Sequence, residues 1–211
     1  MKVHLISFLI TLTIAAAAQP AEKTFPVKQF KLGESWVSLK NTFDFSTLKK
    51  ANQDTLWLEI CSDNIFSPFG IFGDTIQLPK SQLKTYKMRT RAGVGDEVNV
   101  VQANLWKDTN NITLYFFHSS EYAPHSYIIH GNIFDPQLKL YKTIQIGVSK
   151  TDFYKTFFNS FPKELEPRFR YIVFETCIYG IQQIYRFENN ALLSVRFRCP
   201  DCVGVKRIDK Y

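Results

Sequence analysis

This chain predicts an α+β fold built mainly from antiparallel sheet with two short helices, and three observations carry that expectation. Ring side chains are abundant, with 19 Phe and 10 Tyr against 2 Met, and such residues favour pleated surfaces over helical bundles. Runs with a period of two recur through most of the chain, the clearest being Leu193, Val195 and Phe197 against Ser194, Arg196 and Arg198, which marks a strand with one buried face. Helical spacing is confined to two short stretches, each introduced by a glycine and a serine. The 211 residues are 45% hydrophobic and 21% charged with a formal charge of +7, a globular composition that excludes a disordered tail. With 9 Gly and 9 Pro, collagenous and low-complexity classes are excluded too.

Read from its start, the chain joins Lys2 to an apolar run from Leu5 to Ile14 and then to Ala15, Ala16, Ala17 and Ala18. That is the pattern of a secretory signal peptide over residues 1–18, cut near Ala18. The run is about half of the roughly 20 residues that span a bilayer, so no transmembrane segment is expected. No cysteine follows the cut, which argues against a lipid anchor. The expected location is therefore secreted or periplasmic.

Phe30 to Phe43 aligns without a gap on Ile144 to Phe157, matching Gly33 with Gly147, Ser35 with Ser149, Thr42 with Thr156 and Phe43 with Phe157. Each stretch reads as a strand end, a glycine turn, a serine N-cap and a short helix. They are either copies of one module or alike by chance. Between them lie candidate strands at Leu56 to Cys61, Leu83 to Arg91, Val98 to Lys107, Ile112 to His118 and Tyr127 to Phe134. Gly93 to Asp96, Asp108 to Asn111 and Asp135-Pro136 supply the breaks. Leu138 to Ile146 alternates as well, except at Lys142, and predicts another strand. A meander closes the chain: Phe169 to Tyr179, Ile181 to Glu188 and Ala191 to Cys199, turned at Gly180 and Asn189-Asn190. This divides into an N-terminal module over 19–136 and a C-terminal one over 137–211, or forms one continuous domain.

Gly-x-Ser, a short helix and a meander of strands, seen in Ile144 to Cys199 and in part after Phe30, resembles the fold of the beta-lactamase inhibitor protein and the outer-membrane assembly lipoproteins that share its topology. The resemblance implies an exported protein that binds proteins or envelope components without catalysis. Extra strands between Leu83 and Phe134 and the missing lipidation cysteine depart from that pattern, so neither specific function is carried over.

Export also frames the cysteines. Cys61, Cys177, Cys199 and Cys202 would meet an oxidising compartment, where an even number points to disulfides. In a meander Cys177 and Cys199 stand two strands apart, about 10 Å, beyond disulfide reach. Cys202 can pair with Cys177 or locally with Cys199, leaving Cys61 free or paired with Cys177. Cys199-Pro200-Asp201-Cys202 has redox spacing, yet it closes a strand and opens no helix that would lower a thiol pKa. Zinc is a lesser alternative for the same motif, needing further ligands such as Cys177 and a histidine.

Three groups compete for function. Phe66, Phe69 and Phe72 recur at every third residue in a turn-rich loop; they either complete the core or anchor a partner. Arg196 and Arg198 on the last strand, with Lys206 and Arg207 beyond, repeat the basic pattern of Lys84, Lys87, Arg89 and Arg91. A solvated face explains them, or attraction to an exported acidic protein or anionic envelope component. Nucleic acid is not expected outside the cell. The rival is a secreted hydrolase or metal-dependent enzyme using His118, Glu121 and His125, with His130 nearby. As strand, turn and strand, that segment carries His130 about 16 Å along from His125, against convergence. No nucleophile elbow, zinc-protease helix or phosphate loop occurs, and no cofactor is expected.

Overall fold

The computed structural model describes residues 29–40, 43, 45–61, 63–67, 80–94, 97–117, 125–141, 144–177 and 180–202. The signal peptide expected over residues 1–18 lies outside them. A three-stranded sheet joins β1 (Gln29–Leu32), β2 (Ser35–Leu39) and β9 (Phe158–Ser160). A nine-stranded sheet takes β3 (Phe45–Ala51), β4 (Thr55–Cys61), β5 (Lys87–Val94), β6 (Glu97–Lys107), β7 (Asn110–Phe117), β8 (His125–Ile133), β10 (Tyr171–Thr176), β11 (Gln182–Glu188) and β12 (Ala191–Arg198). Their order is β3-β4-β10-β11-β12-β8-β7-β6-β5. Helices are short: α1 (Asp63–Phe66), α2 (Lys80–Leu83) and α3 (Lys150–Phe157), with a 3-10 turn at Lys163–Leu165.

The sheet is mixed. Its neighbours run antiparallel except β4 and β10, which are parallel, with Trp57 opposite Val173 and Ile60 opposite Thr176. It takes strands from both sides of residue 136, and one hydrophobic cluster runs from Leu32 to Phe197. Every second side chain of β10, β11 and β12 points into that cluster: Ile172 and Phe174, Tyr185 and Phe187, Val195 and Phe197. The hairpin between β11 and β12 turns on Asn189 and Asn190, at φ 48° and 65°, the backbone of a tight two-residue connection.

Three sequence expectations need correction. The stretch after Ser35 forms strand β2, not a helix. Both glycines turn the chain at positive φ, 66° at Gly33 and 91° at Gly147, but the segments beyond them differ. Ser149 Oγ accepts from the Asp152 backbone N–H at 3.0 Å and donates to the Asp152 carboxylate at 2.7 Å, capping α3. The position that aligns with Asp152 is Ser38, so the first stretch has no such acid, and its Trp36-Val37-Ser38-Leu39 pairs as a strand with β1. The two stretches thus differ in shape. Second, Leu138 to Ile146 is not a strand. Leu140 N–H donates to Ile144 O and Ile144 N–H to Tyr141 O, folding the segment on itself while Leu138, Leu140 and Ile144 are buried. Its alternation recorded burial alone. Third, Leu83 ends a helical turn, and the strand begins at Lys87.

Parallel pairing of β4 with β10 sets the first disulfide. Both strands end at the same level, and Cys61 bonds to Cys177 with Cα atoms 5.3 Å apart; Cys199 bonds locally to Cys202, also at 5.3 Å. At the far side of the sheet, Asp135 ties three elements together. Its carboxylate accepts from Lys107 Nζ at 2.8 Å, Tyr86 OH at 3.2 Å and the Gln137 N–H at 2.9 Å. Burial alone would raise its pKa, but the bonds from Lys107, Gln137 and Tyr86 outweigh that and hold it below the ordinary value.

These ties have measurable consequences. Closing a loop of about 100 residues is worth about 4–5 kcal/mol in the chain-entropy model, and a loop of a few residues about 2 kcal/mol. Cys61→Ala/Cys177→Ala should therefore lower stability in urea unfolding well beyond Cys199→Ala/Cys202→Ala. A depressed carboxylate pKa stabilises above the unfolded value and loses that contribution as pH falls through the folded one. Asp135→Asn should cost about 3 kcal/mol at pH 6 and flatten the loss of melting temperature as pH falls below about 4, the ordinary carboxylate value.

Candidate functional site

The outer face of the β3-β4-β10-β11-β12 region is polar and cross-linked. In one row Thr47, Glu59, Glu175, Gln182 and Arg198 stand opposite one another across five strands. Glu175 is the hub. It accepts from Lys49 Nζ at 2.6 Å, Trp57 Nε1 at 3.0 Å and Gln182 Nε2 at 3.1 Å. Lys49 also pairs with Glu59 at 2.9 Å; its hydrogen bonds to Glu175 and then Glu59 raise its pKa. Gln182 in turn accepts from Arg198 Nε. Lys49 reaches two acids because it is the extra residue where register shifts between Leu48 and Lys50, and a bulge re-aims a side chain in this way.

The neighbouring row on the same face is Trp57, Val173, Ile184 and Arg196. Trp57 and Ile184 are half-buried and Arg196 and Arg198 exposed. Among the described residues no carboxylate lies within ion-pair distance of either arginine. The face therefore presents Trp57 and Ile184, half-buried on either side of the buried Val173, bordered by two guanidiniums that no carboxylate among the described residues pairs.

A second feature lies beside the first residue of α3. Lys150, Pro167, Arg170 and Phe187, with the β11–β12 hairpin tip, line a hollow of about 600 Å³. Lys150 is 6% exposed, and its Nζ stands 5.5 Å above the Phe187 ring. Arg170 and Arg186 share Glu188 at 3.7 and 3.9 Å.

Of the residues singled out by sequence, Arg196 and Arg198 share the outer face as alternation requires. Phe66 is fully buried on α1, so this ring serves the core and is not an exposed anchor; Phe69 and Phe72 lie outside the described residues. So do His118 and Glu121. His125 opens β8, and His130 stands five residues along the same strand, opposite Thr113. Among the described residues no group of three His, Cys, Asp or Glu could hold a metal ion. All four cysteines are bonded. Asn111, expected in the break that begins at Asp108, lies within β7.

Sequence reading missed Lys49, Trp57, Glu59, Glu175 and Gln182, because only the parallel register of β4 and β10 brings them together around Glu175. It also missed Lys150, whose place in an aligned helix concealed its burial. Comparison with protein-family models, with curated proteins and with solved structures yields no match for this chain.

Glu175→Gln removes the charge that three donors share. It should cost about 1–3 kcal/mol, read as a lower urea midpoint, while Arg196→Ala on the same face should change stability by less than about 0.5 kcal/mol.

Proposed function

We propose that this chain is an exported, non-catalytic binding protein that holds an acidic protein surface on the outer face of β3, β4, β10, β11 and β12. The observation that carries this reading is the pair of exposed guanidiniums, Arg196 and Arg198, beside the Trp57–Val173–Ile184 strip, with no carboxylate of their own among the described residues. Aromatic and arginine side chains grouped around apolar surface are the residues in which binding energy concentrates. The Glu175 ladder holds Arg198 and Trp57 in place before a partner arrives, so less side-chain freedom is lost on binding.

Export rests on the Lys2 to Ala18 pattern and fits the two disulfides. No helix among the described residues is long and apolar enough to cross a membrane. The order glycine, serine cap, α3 and the β10–β12 meander is also the order on which the likeness to exported inhibitor and assembly proteins rests.

Cross-linked capture from the exported fraction of the source cells tests the reading. Arg196→Glu/Arg198→Glu should lose an acidic protein retained by the wild type, with affinity reduced about tenfold or more and the residual binding insensitive to salt. Equal capture by both chains, or wild-type retention on anionic vesicles in place of protein, would defeat it.

A further inference from the structure

We propose that the hollow beside the start of α3 binds a small organic monoanion, its carboxylate held by the Lys150 ammonium and the Arg170 guanidinium and its apolar body resting on Phe187 and Pro167. This surface is separate from the outer face described above, and the inference does not depend on that reading.

Lys150 occupies a place that three circumstances oppose. Only 6% of the residue is exposed, and even partial withdrawal of an ammonium from water is costly unless it is paired. No carboxylate among the described residues lies within ion-pair distance of it. It is also the first residue of an eight-residue helix, where the backbone dipole favours negative charge and disfavours a cation. The Phe187 ring beneath Nζ offsets part of this, about 1 kcal/mol for a contact of this kind. Burial lowers the Lys150 pKa, while the more distant Glu166 pulls it back up.

The charge count around the hollow names the ligand's sign. Among the residues that line the hollow, Lys150 and Arg170 are cationic and Glu188 is the one carboxylate. Glu188 is divided between Arg170 and Arg186 at 3.7 and 3.9 Å, and Glu166 accepts from Thr151 Oγ1 at 3.0 Å. One positive charge is left over. A monoanion would neutralise it, and the volume of about 600 Å³ falls within the range of small-molecule sites. The lining names the rest of the ligand, because the exposed Pro167 and the small part of the buried Phe187 ring that reaches the hollow offer apolar contact, while Asn189 and Asn190 supply amides at the rim.

Bonded backbone fixes the walls. Lys150 N–H donates to Asn190 O at 2.9 Å, Leu192 N–H to Val148 O at 2.9 Å and Phe187 N–H to Arg170 O at 2.9 Å. The helix start, the hairpin tip and the strand entry are thereby one unit, and a site built on such elements keeps its geometry without closing over the ligand.

Titration calorimetry with benzoate as probe tests the proposal, with benzamide as its neutral counterpart and inorganic phosphate as an anion lacking an apolar body. Benzoate should bind at least about tenfold more tightly than either. Lys150→Met keeps an unbranched stem on Phe187 and removes the charge, and should weaken benzoate about tenfold or more; Lys155→Met, on the exposed side of the same helix, should leave it unchanged. Arg170→Gln, at an exposed position, should weaken benzoate several-fold and keeps the test decisive if Lys150→Met fails to fold. The proposal is overturned by no binding of benzoate at about 10 mM, by equal binding of benzamide or phosphate, or by affinity that survives both substitutions.

Discussion

The parallel contact between β4 and β10 is the join on which the rest of this structure depends. Parallel strands cannot be linked by a tight turn and need a crossover, and here the crossover is most of the chain: the β5 to β8 meander, the segment after Asp135, α3 and β9 all lie between the two strands. Those elements are fitted into one sheet because β10 returns beside β4. The disulfide from Cys61 to Cys177 closes that loop at the point where both strands finish, and the Glu175 ladder crosses the same boundary from Glu59 and Trp57 on one side to Gln182 and Arg198 on the other. Covalent, hydrogen-bonded and charged ties are therefore concentrated on one pair of strands, brought together across a separation of 116 residues whose closure is costly in entropy.

On the other side of those strands α3 supplies the packing. Its Phe153 lies 4.6 Å from the Tyr185 ring and 5.1 Å from Phe187, and Phe157 lies 4.9 Å from Phe174. Most of these contacts are tilted or edge-on, the arrangement that aromatic quadrupoles favour. An eight-residue helix has little stability of its own. It persists because Phe153 and Phe157, one turn apart, insert into a wall of rings, and because Ser149 caps its start. The two faces of β10 and β11 thus do different work: the inner face binds the helix through rings, and the outer face carries charge.

How much of this was legible in the sequence depends on the range of the interaction. β6, β7, β8, β11 and β12 lie close to their predicted limits, since alternation and turn residues are local signals. The cap on α3 was legible for the same reason, through Ser149 and the apolar spacing behind it. Ser35 misled because glycine and serine at matching positions specify only the turn, and the acid that completes the cap is Asp152, replaced by Ser38 in the earlier stretch. Leu138 to Ile146 misled because inward-facing leucines look alike in a strand and in a folded-back loop. The Cys61–Cys177 bond was one of the pairings left open, while the Glu175 hub and the Lys150 hollow could not be read at all. Each depends on which strands become neighbours across distant parts of the chain, and alternation says which face a residue takes without saying what it will face.

Charge pairing separates the structural cations of this protein from those left for other use. Lys49 and Lys107 meet carboxylates at 2.6 and 2.8 Å, and removing those acids would leave each short of its partner, while Arg170 divides Glu188 with Arg186 at 3.7 and 3.9 Å and keeps part of its charge for another anion. Arg196, Arg198 and Lys150 differ. No carboxylate among the described residues completes them, although Glu175 stands in the same row as Arg198 and Glu166 in the segment beyond α3. Glu175 is already engaged by three donors, and Glu166, which accepts from Thr151, acts on Lys150 only from beyond ion-pair distance. A solvated surface would explain Arg196 by itself; it does not explain Lys150, which is withdrawn from solvent, nor why Arg198 is held by a glutamine that is fixed by a glutamate. Cations that the fold orients but does not neutralise are where an external anion gains most, because the cost of positioning them has already been met by the folded chain.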